Sequence, residues 1–186
     1  MDRRIQKTKN AIKTSYRNLL MEKNNSKITI TELAEHANID RKTFYLHYDS
    51  IDSIAHEIME ENLVELKEVL ETNGFSENSF DAKIIIQSMN TCIEKDIDFF
   101  TTISRHNDFD FFIKKMKDIF FTHTVHAIEK NSDIDNNEFL IYIKFTLSGV
   151  TDIYADWFRG NIKMTLNELG ITVSKIINKG INVLKK

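Results

Sequence analysis

The chain has 186 residues, of which 41% are hydrophobic and 28% charged, as expected for a soluble globular protein of one large or two small domains. No apolar run approaches the roughly 18 residues of a membrane helix, and the first thirteen residues lack the apolar stretch of a signal peptide. A single cysteine, Cys92, excludes an internal disulfide framework. We therefore expect a cytoplasmic protein. With no proline and five glycines, its helices can be long.

Charge is unevenly distributed. Residues 1–48 hold ten Lys/Arg and five Asp/Glu (+5), whereas residues 49–186 hold 15 and 23 (−8), which together give the net charge of −3. A basic module attracts phosphate, and an acidic remainder is repelled by it. This asymmetry, unless it is a chance fluctuation, indicates that residues 1–48 bind nucleic acid.

The first predicted helix covers about residues 4–23, because Ile12, Tyr16 and Leu19 recur at helical spacing. The stretch TITELAEHANIDRKTFYLHY, from Thr29 to Tyr48, follows it. Thr29 and the glutamate three residues later form a capping-box pattern, which predicts a helix from residue 30.

A second short helix is predicted directly after a turn. Asn38 tolerates the left-handed backbone that ends a helix sharply, and Asp40 is a good cap for a helix over residues 41–46. Two short helices joined by such a turn are typical of a helix-turn-helix, whose second helix enters the major groove of DNA.

Downstream, apolar residues at helical spacing predict long helices starting near residues 51, 138 and 165, one helix carrying Ile86 to Phe100, and one carrying Phe112 to Ala127. We therefore predict an all-α fold of about nine helices. An N-terminal three-helix helix-turn-helix domain (1–50) is expected to precede a larger helical bundle (51–186).

The helix-turn-helix residues resemble the TetR family of bacterial transcriptional regulators over about Ile12 to Ile54. The positions in register are Thr29, Leu33, Ala34, Ala37, Ile39, Tyr45, His47 and Tyr48. The resemblance implies a homodimer that binds a palindromic DNA operator, usually represses, and is released when a small molecule occupies a pocket of the larger domain. Since no motif in the sequence argues for catalysis, we expect no enzymatic activity and no cofactor.

The resemblance also implies which residues touch DNA. Contacts to bases or nearby phosphates are assigned to Arg41, Lys42, Thr43 and Tyr45, and phosphate contacts to Thr29 and His47. Phe44 and Tyr48 match core positions. Independently, the basic arm that contains Arg3, Arg4 and Lys7 either follows the minor groove or is a disordered basic tail.

Two residues depart from the family pattern. Asn38 replaces the usual glycine of the turn, which is acceptable because asparagine tolerates a positive φ. Ile51 replaces a lysine that often contacts phosphate at the start of the fourth helix, so one cationic contact is missing. We expect backbone amides at that helix start to hold phosphate, and basic residues to compensate: Arg3, Arg4, Lys7, Lys9 and Lys13.

The chain has thirteen phenylalanines, seven of which cluster between Phe99 and Phe121 and form either ordinary core or an apolar effector pocket. The candidate polar groups of such a pocket are Arg105, His106, Asn107, His123, Tyr142 and Tyr154. His123 and His126 have the spacing of two metal ligands, but no third ligand is placed by the sequence, so we expect no metal site. Cys92 is expected to be a buried structural thiol.

The segment from Glu138 to Arg159 is apolar almost all round, so it is expected to be buried centrally or at a subunit interface. The candidate dimer-interface residues are Ile153, Trp157, Val173, Ile177, Gly180 and Leu184. Three functions follow in order of preference: a repressor released by a small apolar or aromatic effector, a DNA-binding regulator controlled by a docked partner protein, and a metal-dependent helical enzyme. The enzyme ranks last because the sequence lacks a nucleophile elbow, a P-loop and a dinucleotide fingerprint.

Overall fold

A computed structural model describes residues 3–23, 27–73, 82–106, 108–128 and 136–184, and within these ranges all regular structure is helical. The all-α prediction is confirmed. The helices are α1 Arg3–Lys23, α2 Ile30–His36, α3 Arg41–Tyr45, α4 Ile51–Asn73, α5 Ala82–Glu94, α6 Ile97–Ile103, α7 Asp108–Ile128, α8 Asn136–Phe158 and α9 Leu166–Leu184. None of the helices in these ranges is long and apolar enough to cross a bilayer.

The prediction of a single helix that carries Ile86 to Phe100 is wrong, because two helices occupy that segment. α5 ends at Glu94 and α6 begins at Ile97. Between them the amide of Asp96 donates to the carbonyl of Ile93 at 3.1 Å, which closes a tight turn. Apolar residues keep a four-residue spacing across this turn, so the sequence pattern conceals the break.

The chain divides into two compact units. The amino-terminal unit comprises the residues up to Glu61 together with Ile97–Phe112, and the carboxy-terminal unit comprises Asn62–Asp96 together with the residues from Ile113 onward. Of the three divisions, one falls inside α4, one in the turn between α5 and α6, and one inside α7. A domain boundary at residues 50 and 51 stays a prediction, whereas the return of α6 to the amino-terminal unit is a feature that no sequence pattern indicated.

Aromatic side chains form a large part of the core of the amino-terminal unit. Phe99, Phe100, Phe109 and Phe112 are buried, and the ring of Phe112 lies 4.9 Å from that of Phe100 and 5.9 Å from that of Phe109. The guanidinium of Arg17 on α1 lies 4.8 Å from the centre of the Phe99 ring, which adds a cation–π contact between α1 and α6. These four phenylalanines are therefore core.

In the carboxy-terminal unit, α9 packs closely against α5 around one buried amide. The hydroxyl of Tyr154 donates to Oδ1 of Asn90 at 2.7 Å, and Nδ2 of Asn90 donates to the carbonyl of Leu166 at 3.0 Å. A Cβ at Gly170 would lie only 2.5 Å from that Nδ2. The absence of a side chain at Gly170 therefore lets α9 approach the hydrogen-bonded amide.

The start of α2 is fixed by the predicted capping box. The amide of Glu32 donates to the Thr29 hydroxyl at 3.3 Å, and the carboxylate of Glu32 accepts from the Thr29 amide at 2.9 Å. Lys23 of α1 also donates to this carboxylate at 2.6 Å. The hydrogen bond from Lys23, followed by those from Thr29, lowers the pKa of Glu32 to about 2.

Gly170→Ala is expected to lower the free energy of unfolding by about 1–3 kcal/mol, because the new methyl group must displace a buried, hydrogen-bonded amide. The control is Gly149→Ala on α8, where nothing lies within 4 Å of a Cβ. That change should raise stability by about 0.5–1 kcal/mol through helix propensity. Denaturant unfolding at one protein concentration measures both, and equal effects would contradict the packing role of Gly170.

Glu32→Gln is expected to destabilise the protein at neutral pH and to lose this effect in acid. Because the folded pKa of Glu32 is depressed, its contribution is present above the ordinary value of 4.5 and disappears as the pH falls towards about 2. The unfolding curves of wild type and variant should thus converge over that interval. Glu35→Gln, which removes the same charge from α2 but leaves the capping box, is the control. A constant difference from pH 7 to pH 2 would contradict the assignment.

Candidate nucleic-acid interface

The turn between α2 and α3 is held by specific backbone geometry. Asn38 has a φ of 52°, the left-handed conformation expected from the sequence. The amide of Ile39 then donates to the carbonyl of Ala34 at 2.9 Å, and the carboxylate of Asp40 accepts from the amide of Thr43 at 2.7 Å. This last hydrogen bond lowers the pKa of Asp40. The predicted helix-turn-helix is therefore present, with both ends of the turn capped.

The recognition helix, α3, has one buried face and one exposed face. Phe44 is completely buried, and its ring lies 6.1 Å from the buried ring of Tyr48, so both predicted core positions are confirmed. Arg41, Lys42 and Tyr45 lie on the exposed face, and Leu46, which caps the helix, is also exposed. At 100° per residue these four positions span an arc of about 140°, and Lys42 and Leu46 are the two that lie farthest from Phe44 around the helix. Thr43 and His47 are half-buried beside this arc.

Thr29 is exposed, but its hydroxyl is already hydrogen-bonded. It donates to the carboxylate of Glu32 at 2.8 Å and accepts from the Glu32 amide. To donate to a phosphate, the hydroxyl must leave its bond to the carboxylate. Its assignment as a phosphate contact stays a prediction.

The basic arm is part of a helix. Arg3, Arg4 and Lys7 lie in the first two turns of α1, and their side chains are exposed. The alternative of a disordered basic tail is therefore wrong for residues 3–9, whereas contact of this arm with the minor groove stays a prediction. The exposed cations are instead presented by a rigid helix in the same unit as α3.

Two lysines of α1 are paired within the chain. Lys9 donates to Glu57 on α4 at 2.6 Å, and Lys13 lies 3.4 Å from Glu57 and also pairs with Glu61. Although burial opposes it, the hydrogen bonds and charges of both lysines hold the pKa of Glu57 below its usual value. The expectation that Lys9 and Lys13 compensate for Ile51 is therefore wrong, because their charges are neutralised by α4.

The start of α4 carries no cation at residue 51, as the sequence states. Ser50 and Ser53 cap this end reciprocally: the Ser53 amide donates to the Ser50 hydroxyl at 3.2 Å, and the Ser50 amide to the Ser53 hydroxyl at 3.3 Å. Two amides of this helix start are thus already bonded. A phosphate bound at this end must accept hydrogen bonds from backbone amides other than those of Ser50 and Ser53.

The cavity of the carboxy-terminal unit does not involve the predicted polar residues. It has a volume of about 40 Å³ and is lined by apolar side chains of α5, α7, α8 and α9, with Thr124, Thr146 and Thr151 as its polar groups among the described residues. Among the described phenylalanines between Phe99 and Phe121, Phe120 lines this cavity. The cavity is therefore apolar and narrow.

The predicted pocket residues lie elsewhere. Tyr154 bonds Asn90, and the Tyr142 hydroxyl donates to the carbonyl of Ile177 at 2.5 Å, so both hydroxyls join helices of the core. Arg105 and His106 follow α6 in the amino-terminal unit. His123 is half-buried on α7 but does not line the cavity. Asn107 lies outside the described residues.

No metal cluster is formed within the described part of the chain, where no three His, Cys, Asp or Glu side chains come together. The side chain of His126 lies outside that part. Cys92 is a buried free cysteine, as predicted, and burial raises its pKa.

Several residues assigned to a dimer interface are used inside the chain. Val173 and Ile177 are buried in the core, and a Cβ at Gly180 would lie 2.9 Å from the Tyr142 ring of the same chain. The indole of Trp157 donates to the carbonyl of Met164 at 2.7 Å, beyond the end of α8. Ile153 is half-buried, and the side chain of Leu184 lies outside the described residues. Their role in a dimer stays a prediction.

The exposed apolar side chains of these helices were missing from the candidate set. On α8, Ile141 is 70% and Phe145 80% exposed, and on α9 Ile176 is 61% exposed. Ile141 and Phe145 are four residues apart and so share one face of α8. The sequence did indicate this surface, because α8 is apolar almost all round and only part of such a helix can pack against the core of its own chain.

The fold is shared with solved regulator structures. The chain superimposes on a TetR transcriptional regulator from Streptococcus agalactiae 2603V with a TM-score of 0.65 and 24% identity, covering 95% of this chain and 96% of that one. A TetR-family regulator from Streptomyces coelicolor gives 0.71 at 10% identity, with 96% and 82% covered. The dihydroxyacetone kinase operon activator DhaS gives 0.70 at 16% identity, with 96% and 98% covered.

Sequence comparison is consistent with these structures. No curated protein matches the chain significantly in sequence. A TetR family model described as the C-terminal region of a transcriptional regulator matches residues 81–179, which is more than half of the chain. Regulators of this family bind DNA and form dimers. Together with the capped helix-turn-helix, this match shows that the chain belongs to the TetR family of DNA-binding transcriptional regulators.

Proposed function

We propose that the protein binds a palindromic operator as a homodimer and that each subunit places α3 in the major groove. The observation that carries this proposal is that α3 exposes Arg41, Lys42 and Tyr45, while Phe44 is completely buried in the core. Arginine and lysine donate to guanine edges and to phosphates, and the tyrosine hydroxyl donates to phosphates.

Charge supports the same surface. Residues 1–48 carry +5 and residues 49–186 carry −8, so positive charge is concentrated in the segment that contains α1 and α3. Arg3, Arg4 and Lys7 add exposed cations on α1, whereas Lys9 and Lys13 are neutralised. The affinity for DNA should therefore fall with increasing salt concentration to the extent expected for a moderate number of phosphate contacts.

Dimerisation is proposed to use the exposed apolar faces of α8 and α9. Ile141, Phe145 and Ile176 present apolar surface that a single chain leaves in water. Pairing the same helices of two subunits buries this surface in a symmetric interface. A two-fold dimer matches a palindromic operator, because each half-site meets an identical α3.

We propose repression relieved by a small apolar or aromatic effector in the cavity of the carboxy-terminal unit. The apolar lining and the three threonines fit such a ligand. Because about 40 Å³ is small, binding must select a state in which the surrounding helices move apart. A change of this kind in both subunits would alter the spacing of the two recognition helices.

Control by a docked partner protein is the second candidate. The observation in its favour is that the apolar cavity has only about 40 Å³, since sites for drug-sized ligands have about 300–1,000 Å³, and that a second pocket of the same unit, of about 410 Å³, is lined mainly by polar side chains. A copurifying protein, with no thermal shift from a panel of small aromatic compounds, would favour this candidate. Thermal shifts without a partner would favour the effector.

Selection of binding sites from random duplexes, repeated at two salt concentrations, tests DNA recognition. An inverted repeat with half-sites one helical turn or more apart is expected. Strongly salt-dependent binding without enrichment would contradict it. Because the structurally similar DhaS is an operon activator, a reporter that detects both activation and repression should carry the selected operator.

Arg41→Ala is expected to reduce the preference for the operator over random duplex by about 1–3 kcal/mol, because a base contact is lost. Lys163→Ala removes the same charge from an exposed residue of the carboxy-terminal unit and serves as the control. Competition binding measures both variants. Equal losses of affinity on every duplex would make Arg41 a phosphate contact instead.

Phe145→Glu is expected to weaken the dimer at least about 30-fold, the equivalent of ~2 kcal/mol, because a charge enters an apolar interface. Val64→Glu, at a 58% exposed apolar position on α4, is the matched control. Sedimentation velocity over a dilution series measures the monomer fraction. An unchanged dimer in Phe145→Glu would exclude this face of α8.

A further inference from the structure

We propose that Leu46 contacts the 5-methyl group of a thymine, so that each operator half-site contains thymine at one fixed position. The inference rests on the proposed function, since it requires α3 to lie in the major groove. It extends that function by assigning a base to a residue that has no hydrogen-bonding group in its side chain.

Leu46 is unusually exposed for its size. It is 74% accessible, and among the described large apolar residues only Phe145 is more exposed. The core of the amino-terminal unit gains nothing from it, because Phe44 supplies the buried face of α3. Because burial of apolar surface is favourable, most of the free energy that a leucine side chain gains on burial is still available to Leu46 when a binding partner covers it.

The position of Leu46 is fixed by its backbone. Its φ of −72° and ψ of −16° continue the helical path, and its amide is bonded to the carbonyl of Lys42 at 3.2 Å. The next two amides, those of His47 and Tyr48, donate to the carbonyl of Phe44 at 2.9 and 3.0 Å. The side chain is therefore presented at a defined angle and does not belong to a fraying end.

The neighbours of Leu46 on the helix surface are the proposed DNA contacts. Lys42 precedes it by four residues and Thr43 by three, so both lie beside it on the helix surface. A base pair that faces Lys42 is thus close to Leu46 as well. The side chain of Leu46 is apolar and is surrounded by cationic and hydrogen-bonding groups. In the major groove it must therefore contact an apolar group of a base, because contact with a polar base edge would leave that edge without a hydrogen bond.

The major groove offers one such group. Thymine exposes a methyl group on C5 in the major groove, next to its O4 acceptor, whereas the major-groove edges of the other three bases carry no methyl group. The leucine methyl groups can pack on the thymine methyl group and exclude water from both. Adjacent cations then bind phosphates or guanine, while Leu46 selects thymine by apolar contact.

Uracil substitution in the selected operator tests the contact, because deoxyuridine lacks the methyl group but keeps every hydrogen-bonding group of thymine. Replacing the thymines of one half-site one at a time should identify one position where wild-type affinity falls about fourfold, the equivalent of one buried methyl group at ~0.8 kcal/mol. Leu46→Ala should bind the thymine operator more weakly and be insensitive to uracil at that position.

Met21→Ala is the matched control, because Met21 is a 52% exposed apolar residue on α1 of the same unit. It should retain the uracil sensitivity of the wild type. Circular dichroism checks that both variants are folded.

Two results would overturn the assignment. In the first, no uracil substitution changes the affinity of the wild type for the operator. In the second, uracil lowers the affinity of the wild type and of Leu46→Ala by the same factor. Failure of the proposed function would be seen earlier and separately, because the selection step would then yield no operator at all. That result would overturn the thymine contact together with the major-groove placement of α3.

Discussion

Burial of Phe44 determines the orientation of the recognition helix. α3 has five residues, too few to be stable as an isolated helix, so its conformation must be imposed by packing and capping. Phe44 anchors it to the core, and Asp40 bonds the Thr43 amide at its start. The left-handed Asn38 sets the direction in which the chain enters. Every residue proposed to contact DNA through α3 depends on these three constraints.

The α1–α4 ion pairs extend this rigidity to the rest of the amino-terminal unit. Lys9 and Lys13 join Glu57 and Glu61, and Lys9 also lies 5.1 Å from the centre of the Tyr48 ring. The ring of Tyr48 in turn packs on Phe44. Cations that appear from the sequence to be available for DNA therefore serve to hold α1 and α4 around the recognition helix.

The helix-turn-helix could be predicted from the sequence because its signals are local. The capping box at Thr29, the turn at Asn38 and the cap at Asp40 each involve residues within four positions of one another, and all three are present. The carboxy-terminal sites were not predictable in the same way. Whether the hydroxyls of Tyr142 and Tyr154 line a cavity or join two helices depends on residues 35 and 64 positions away. Composition alone does not determine such contacts.

The return of α6 to the amino-terminal unit has a consequence for modularity. Phe99 and Phe100 belong to the same compact unit as α1 to α3, although more than fifty residues separate them from Tyr48 along the chain. A fragment cut after the helix-turn-helix would lose part of its aromatic core and expose the surface that it covers. Chimaeric regulators made by exchanging carboxy-terminal domains must therefore keep residues 97–112 with the DNA-binding end. During synthesis, that end can complete its core only after α6 and the start of α7 have left the ribosome.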